Sequence, residues 1–326
     1  MRLTAVSKVL DEADIIEAFV RHTAAFVSHQ IILDNGSCDG TVEILKQLRD
    51  EGLHLTLLQN DRRQFNEKKL NTVLYYLAVQ LGTPDWVLFL DADEFIDDRE
   101  AARAGGGLVA VLKRQPVELL CVHVLLRHYQ ASIWDNLNEP IIPARLTWRQ
   151  ERPAVEKVMV RGNLAGRNVD ILPGNHGAQV DGQPCPHSDE STVTLAHYPE
   201  RSPFQTIVKF VRGWSKVLAA GESEVRIGTS NHYRESFQKL RDRPQDMLRS
   251  PWLHRFSQPT DGLIHDPIAY RGTSLRFTPT MDEPMRAVRC LVRTIETVSQ
   301  QHGRLLEECP EARVLAIKWS EDINIL

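Results

Sequence analysis

The sequence predicts an α/β fold with a mostly parallel sheet flanked by helices and a helical C-terminal appendage. Three observations predict it. Short apolar runs of strand length recur at 3–7 (LTAVS), 30–34 (QIILD), 54–58 (HLTLL) and 86–90 (WVLFL). Stretches of helical periodicity separate them, giving the order β-α-β-α-β-α-β of a sheet covered on both faces. Polar and acidic clusters follow the second, third and fourth runs directly. A run as uniformly apolar as WVLFL suits a central parallel strand, which is buried on both sides.

Each element has its own signal. Residues 12–27 carry Ile15, Ile16, Phe19, Val20 and Ala24 at spacings of three and four, behind Asp11 as a cap. Residues 41–51 carry Val42, Leu45 and Leu48, with Gly52 where a helix stop is expected. Residues 67–81 carry Leu70, Val73, Leu74 and Leu77 and close on Gly82. Three consecutive glycines, Gly105 to Gly107, mark 101–115 as a loop leading into a helix. ELLCVHVLL at 118–126 reads as a further buried strand, and 129–195 alternates strand-like runs such as VEKVMVR with turns. Ser202-Pro203-Phe204-Gln205 opens a helix with a capping box and proline at its first position. A polar, proline-punctuated stretch spans 216–275. A long helix follows over 282–308, with Met285, Val288, Leu291, Val292, Ile295 and Val298 as its packing face.

Composition narrows the function classes. The 326 residues hold 39 Lys plus Arg against 43 Asp plus Glu, a net charge of −4, with 42% hydrophobic residues. That is an ordinary globular balance, and it excludes collagen-like, disordered and disulfide-dense chains. A mildly acidic chain lacks the basic face that bulk nucleic-acid binding needs, so no nucleic-acid partner is expected. The start MRLTAVSKVLDEAD has no signal-peptide pattern, and no apolar run approaches the ~18 residues of a membrane span. The five cysteines form no CxxC pair, which reads as a reduced, cytoplasmic chain. Cys185-Pro-His187 with His197 fits no standard zinc spacing.

In such sheets ligands bind beyond the carboxyl ends of the strands. Asp34-Asn35-Gly36-Ser37-Cys38-Asp39-Gly40, Asn60-Asp61-Arg62-Arg63 and Asp91-Ala92-Asp93-Glu94 stand at those ends. One polar turn means little, but three at corresponding ends suggest a site. Asp91 and Asp93 lie two apart, so both carboxylates address one side. A hard divalent cation takes such oxygens together with phosphate oxygens, and neutralises a leaving pyrophosphate. The bland alternative is an aspartate capping the next turn.

Residues 1–100 resemble a bacterial family 2-type glycosyltransferase of the GT-A fold. AVSKVLDEADIIEAFVRH, IILDNGSCDGT and DWVLFLDADEF carry the likeness, and LAHYPERSPFQTIVKFVRGW at 195–214 is similar to the end of the catalytic domain in one subgroup. The resemblance implies a GT-A domain over 1–215, with a nucleotide-binding half at 1–100 and an acceptor half at 101–215, before a mainly helical 216–326. It implies a nucleotide-diphosphate-sugar donor, Mn²⁺ or Mg²⁺, and inverting transfer to a glycan or lipid-linked glycan hydroxyl, as in polysaccharide biosynthesis. A lipid-linked acceptor would bring the chain peripherally against the inner membrane. Asp34 would meet the base, Glu12 the nucleotide pocket, Asp91 the ribose or metal shell, and Asp93 the metal itself. His176 and His197 are alternatives for a late metal or diphosphate ligand, and Arg201 and Lys209 lie near His197 on the phosphate side. Glu156, Asp170, Asp181 and Asp189 are available as the base, of which Asp181, Asp189 and Glu156 are best placed.

The sequence departs from the family pattern twice. Leu10-Asp11-Glu12 replaces Arg-Asn-Glu, and Ser37-Cys38-Asp39 replaces Ser-Thr-Asp. The first leaves open a degenerate domain that binds a nucleotide or carbohydrate without turnover. A sugar nucleotidyltransferase would need a glycine-rich loop after the first strand, where Ser7-Lys8-Val9-Leu10-Asp11 has no glycine. A phosphatase would place its aspartates after the first strand rather than the fourth.

Overall fold

The computed structural model describes residues 1–60, 67–132, 134–136, 138–152, 155–164, 166–228, 231–245, 262–278 and 283–320. The first four strands and three helices fall where periodicity puts them. They are β1 (Leu3–Val9), α1 (Ile16–Thr23), β2 (His29–Asp34), α2 (Thr41–Asp50), β3 (Leu55–Gln59), α3 (Glu67–Gly82) and β4 (Trp86–Phe89). β3, β2, β1 and β4 lie side by side and all run parallel. Successive residues feed opposite faces, as the strand pleat requires. Leu3, Ala5 and Val9 join one core cluster and Val6 the other, while Trp86 and Leu88 oppose Val87 and Phe89. α1 and α2 cover the first face and α3 the second. α1 starts four residues later than expected, because 11–14 are drawn into the site below.

Beyond β4 the sheet changes direction. β8 (Glu156–Arg161) pairs antiparallel with β4 and with β6 (Cys121–Gln130). β7 (Trp148–Gln150) and β13 (Leu263–His265) extend that edge. β12 (His187–His197) runs parallel to β6 and antiparallel to β5 (Glu94–Asp97). Between Glu190 and Thr194 its register slips, leaving three residues without a partner on β6. A small second sheet of β9 (Val169–Ile171), β10 (Ala178–Val180) and β11 (Gln183–Pro184) packs beside α3. Short helices α4 (Arg99–Arg103), α5 (Gly107–Lys113) and α6 (Ile142–Arg145) fill the connections.

α7 (Pro203–Ala220) begins as its sequence predicts, with the Ser202 hydroxyl accepting from the Gln205 N–H at 3.1 Å. Gln205 Oε1 accepts instead from Arg201 N, one residue before the cap. α8 (Glu222–Ile227) and α9 (Arg234–Asp242) follow, then α10 (Glu283–Glu308) and α11 (Pro310–Ser320). The packing face of α10 corrects the expectation. Ala287, Cys290 and Thr294 are buried, while Met285, Val288, Val292 and Ile295 are 57–67% exposed. Small side chains let α10 approach α7 with Leu291 half-buried beside them, and the rest of the bulky stripe is left outside.

Two further expectations change. Cys121 and Cys185 form a disulfide across 64 residues, so not every cysteine is a thiol. Residues 262–278 return to the first half of the chain. Buried Glu17 accepts the backbone N–H groups of Arg276, Phe277 and Thr278 at 2.7–2.8 Å. No helix among the described residues is long and apolar enough to cross a membrane.

Candidate active site

The loops after β1 and β2 are stitched together by side chains. Asp11, at φ 57°, donates its N–H to Ser37 Oγ and accepts from Cys38 N, both at 2.8 Å. The Glu12 N–H reaches Thr41 Oγ1 at 2.9 Å, and Ala13 N reaches Asp39 Oδ2 at 2.9 Å. Asp39 Oδ1 accepts from the N–H and hydroxyl of Thr41, satisfying donors at the start of α2. Gly40 precedes that helix at φ 104°, a left-handed conformation that glycine adopts without a Cβ penalty. Asp34 is buried, and its oxygens accept from Gly36 N and Ser37 N at 3.1–3.2 Å. It braces the turn that carries Asn35 onto the cavity wall.

The cavity, about 760 Å³, opens at the carboxyl ends of β1 and β4. Asp91, Asp93, Glu94, Glu12, Asp14 and Asp39 line it together with Lys157, His128, His197 and Lys209. Asp93 is the electrostatic centre. Lys209 Nζ lies 2.7 Å from its Oδ2, His197 Nε2 at 3.4 Å and Arg201 at 3.7 Å. Burial pushes its carboxyl up, but Lys209, His197 and Arg201 more than reverse that and hold it well below the usual range. Lys157 Nζ bridges Asp91 and Glu94 at 3.0 and 2.7 Å. Burial raises both Glu94 and Glu12 to about 7. His128 and His197 face each other through Nδ1 at 2.8 Å, so one ring donates and the other accepts. Burial, with His197 adjacent, lowers His128 to about 4.

Arg201 organises this region. It donates to Glu12 at 2.5 Å, to Asp14 at 2.7 and 3.0 Å and to the Tyr198 carbonyl at 3.1 Å. Its side chain is fully buried and holds the Glu12 and Asp14 carboxylates. Lys209 does line the cavity, as do Glu12, Asp91, Asp93, His176 and His197. His176 gives Nδ1 to the Glu156 carbonyl at 2.7 Å.

The three expected bases lie elsewhere. Asp181 is exposed in the β10–β11 turn, bound by Arg167 and Asn168 N at 2.9 Å. Glu156 and Asp189 stand on the sheet face opposite the cavity, because Lys157 and the strand alternation turn them outward. Asp170 pairs with Lys68 at 3.2 Å. Asp61, Arg62 and Arg63 lie outside the described residues. Sequence reasoning missed Lys157, Asp14, His128 and Arg212. Lys157 had a signal, since it shares a strand face with buried Met159. Arg212, on α7, pairs with Asp11 and donates to the Gly36 carbonyl at 3.1 Å, bringing a guanidinium to the loop that lacks the family's arginine.

Comparison with solved structures finds a mannosyltransferase from Pyrobaculum calidifontis in complex with GDP-Man and Mn²⁺, 20% identical over 39% of this chain and 36% of that one, at a TM-score of 0.31. TarS 1–349 from S. aureus in complex with UDP is 14% identical over 76% and 72%, at 0.36. A glucosyl-3-phosphoglycerate synthase from Mycobacterium tuberculosis, with Mn²⁺ and UDP, is 18% identical over 39% and 44%, at 0.27. The chain thus spans less than half of the first and third. No curated protein matches it. Residues 7–130, which hold Asp91, Asp93 and the stitched loops, match the model of glycosyl transferase family 2.

Proposed function

We propose that the chain transfers a sugar from a nucleotide-diphosphate-sugar to an acceptor hydroxyl of a glycan or lipid-linked glycan, with inversion, in the cytoplasm. The observation that carries this reading is the Asp91–Asp93 pair, set among Lys209, Arg201, His197 and Lys157 and opening on a cavity at the strand ends. Support comes from the family match over 7–130.

The donor set fits a divalent cation. Asp91 and Asp93 offer hard oxygens on the cavity, and a Mn²⁺ or Mg²⁺ ion completes its shell with phosphate oxygens and water. Asp93 would hold it, with Asp91 and His197 beside it. When bound, the ion neutralises charge on the leaving diphosphate. The chain's own residues prepare that site. Lys157 keeps Asp91 ionised, and Arg201, with Lys209 and His197, does the same for Asp93. Lys209, 2.7 Å from Asp93 on the cavity wall, is the cation placed to take up the diphosphate. The stitched loops after β1 and β2 hold the nucleotide side rigid.

A thermal-shift screen of UDP, GDP, TDP and CMP with their sugars, with and without Mn²⁺, tests the reading. A ligand that binds the native state raises the midpoint. The expected result is a metal-dependent rise for one nucleotide that Asp93→Ala abolishes while circular dichroism stays native. Binding without transfer to any acceptor would favour a degenerate domain. No rise with any nucleotide would overturn the proposal.

A further inference from the structure

The sheet face turned away from the cavity carries a cluster that the transfer reaction does not use. His123 on β6 and His187 and Asp189 on β12 each bring one ligand atom to within 4.8 Å of the others. The parallel register sets Asp189 directly opposite His123 and His187 opposite Cys121. His187 and Asp189 are two apart on their strand and point the same way. The two imidazoles stack with ring centroids 4.1 Å apart and planes 11° from parallel. His187 Nε2 lies 3.8 Å from Asp189 Oδ1.

The second nitrogen of each ring is already held. His187 Nδ1 lies 3.1 Å from the Cys185 carbonyl, and His123 Nδ1 lies 3.2 Å from Glu156 Oε2. A metal-ligating histidine characteristically gives its other N–H to a carbonyl or a carboxylate, which fixes the tautomer and aims the ring. Here each ring has one kind of partner and keeps Nε2, and since the rings lie nearly parallel, an ion that takes both Nε2 atoms needs one ring to turn out of the stack. The Cys121–Cys185 disulfide ties the two strands two residues before each histidine, so the ligands start from a fixed spacing. The side chains of His187, Asp189 and Glu156 are 45%, 74% and 45% exposed, which gives an ion a path in. Asp189 and Glu156 together balance a double positive charge.

We propose that His123, His187 and Asp189 form a surface binding site for a zinc-class transition-metal ion, with Glu156 and the Cys185 carbonyl as its outer partners. Two imidazoles and a carboxylate, with water in the fourth place, suit a tetrahedral ion, and nitrogen donors favour Zn²⁺ over Mg²⁺ or Mn²⁺. The site is therefore chemically distinct from the oxygen-lined cavity. It staples β6 to β12 on the reverse of the strands that carry His128 and His197 to the cavity.

The test uses the full chain, stripped with a chelator and dialysed against Zn²⁺ alone, followed by Co²⁺ as a spectroscopic probe. Wild type is expected to bind one Zn²⁺ per chain and to give the intense visible absorption of tetrahedral Co²⁺ with nitrogen ligands. His187→Ala and His123→Ala are each expected to weaken binding at least tenfold, and Glu156→Gln about tenfold through the His123 ring. Asp93→Asn is expected to leave the tetrahedral Co²⁺ band unchanged. Wild type that binds no stoichiometric Zn²⁺, or gives no tetrahedral Co²⁺ band, overturns the proposal whatever the variants do. So does binding that survives both histidine substitutions, or a band that disappears in Asp93→Asn.

Discussion

Arg201 has no exposed atom to spare for a ligand, and that defines its energetic role. It compensates Glu12 and Asp14 and stands 3.7 Å from Asp93, so its loss strands buried carboxylates. Removing one partner of a buried ionic network costs about 3–5 kcal/mol. Arg201→Met is expected to lower unfolding stability by that amount in urea titrations, whether or not donor is present. Lys209 differs, because it is a cation that a ligand can redirect. On the proposed reading, a dication at Asp93 would displace the Lys209 ammonium, and a diphosphate would take that ammonium up. Metal and nucleotide should therefore bind each other's complex more tightly, by linkage. Calorimetry is expected to show Mn²⁺ binding about tenfold tighter with the nucleotide that the thermal-shift screen selects, and Lys209→Met is expected to erase that coupling. Asp91 and Asp93 were legible in the sequence because a buried strand ends at them. The partners of Lys157 and Asp14 were not, since they lie 66 and 187 residues away.

At the scale of elements, periodicity located the first seven because β1, β2 and β4 are buried on both faces and α2 keeps a single buried stripe of Thr41, Ile44, Leu45 and Leu48. The Ser202 cap is local chemistry, and it was readable for that reason. α10 was misread because hydrophobic periodicity gives a stripe but not the side of the helix that meets a neighbour. Its contact with α7 is close, so it selects Ala287, Cys290 and Thr294. Cys290→Glu is expected to destabilise the chain by several kcal/mol through a buried unpaired charge. Val292→Glu is expected to change stability by less than about 0.5 kcal/mol, as for ordinary surface positions. Thermal unfolding of the two variants checks the orientation. Equal effects would mean that the apolar stripe is covered.

For the molecule as a whole, the return of 262–278 to α1 binds late sequence to early sequence. Nothing in a polar, proline-punctuated stretch announces such a return, because its anchors are backbone N–H groups. His22 is one receiver. Its Nε2–H donates to the Ile96 carbonyl at 2.8 Å, and its Nδ1 accepts from Arg271 N at 3.1 Å, so the native ring must be neutral. Burial lowers it to about 4 from 6.5. The unfolded chain thus takes up the proton first as pH falls. The stabilisation is complete above about pH 6.5 and is lost progressively toward pH 4, about 3 kcal/mol in all. Urea unfolding at pH 7.5 and 4.5 is expected to show this loss in wild type and a smaller one in His22→Gln. Equal losses would mean that the ring titrates alike in both states.

The slip in β12 has a consequence for chain length. Ser191, Thr192 and Val193 have no partner on β6, and three is odd. Side chains alternate with period two, so the strand turns one set of residues outward before the slip and the opposite set after it. That is how His187 and Asp189 face solvent while His197, on the same strand, faces the cavity. Length there is quantised in twos. Gaining or losing a pair of residues preserves both faces. A single insertion or deletion would send His197 to the outside and leave Asp93 without its imidazole.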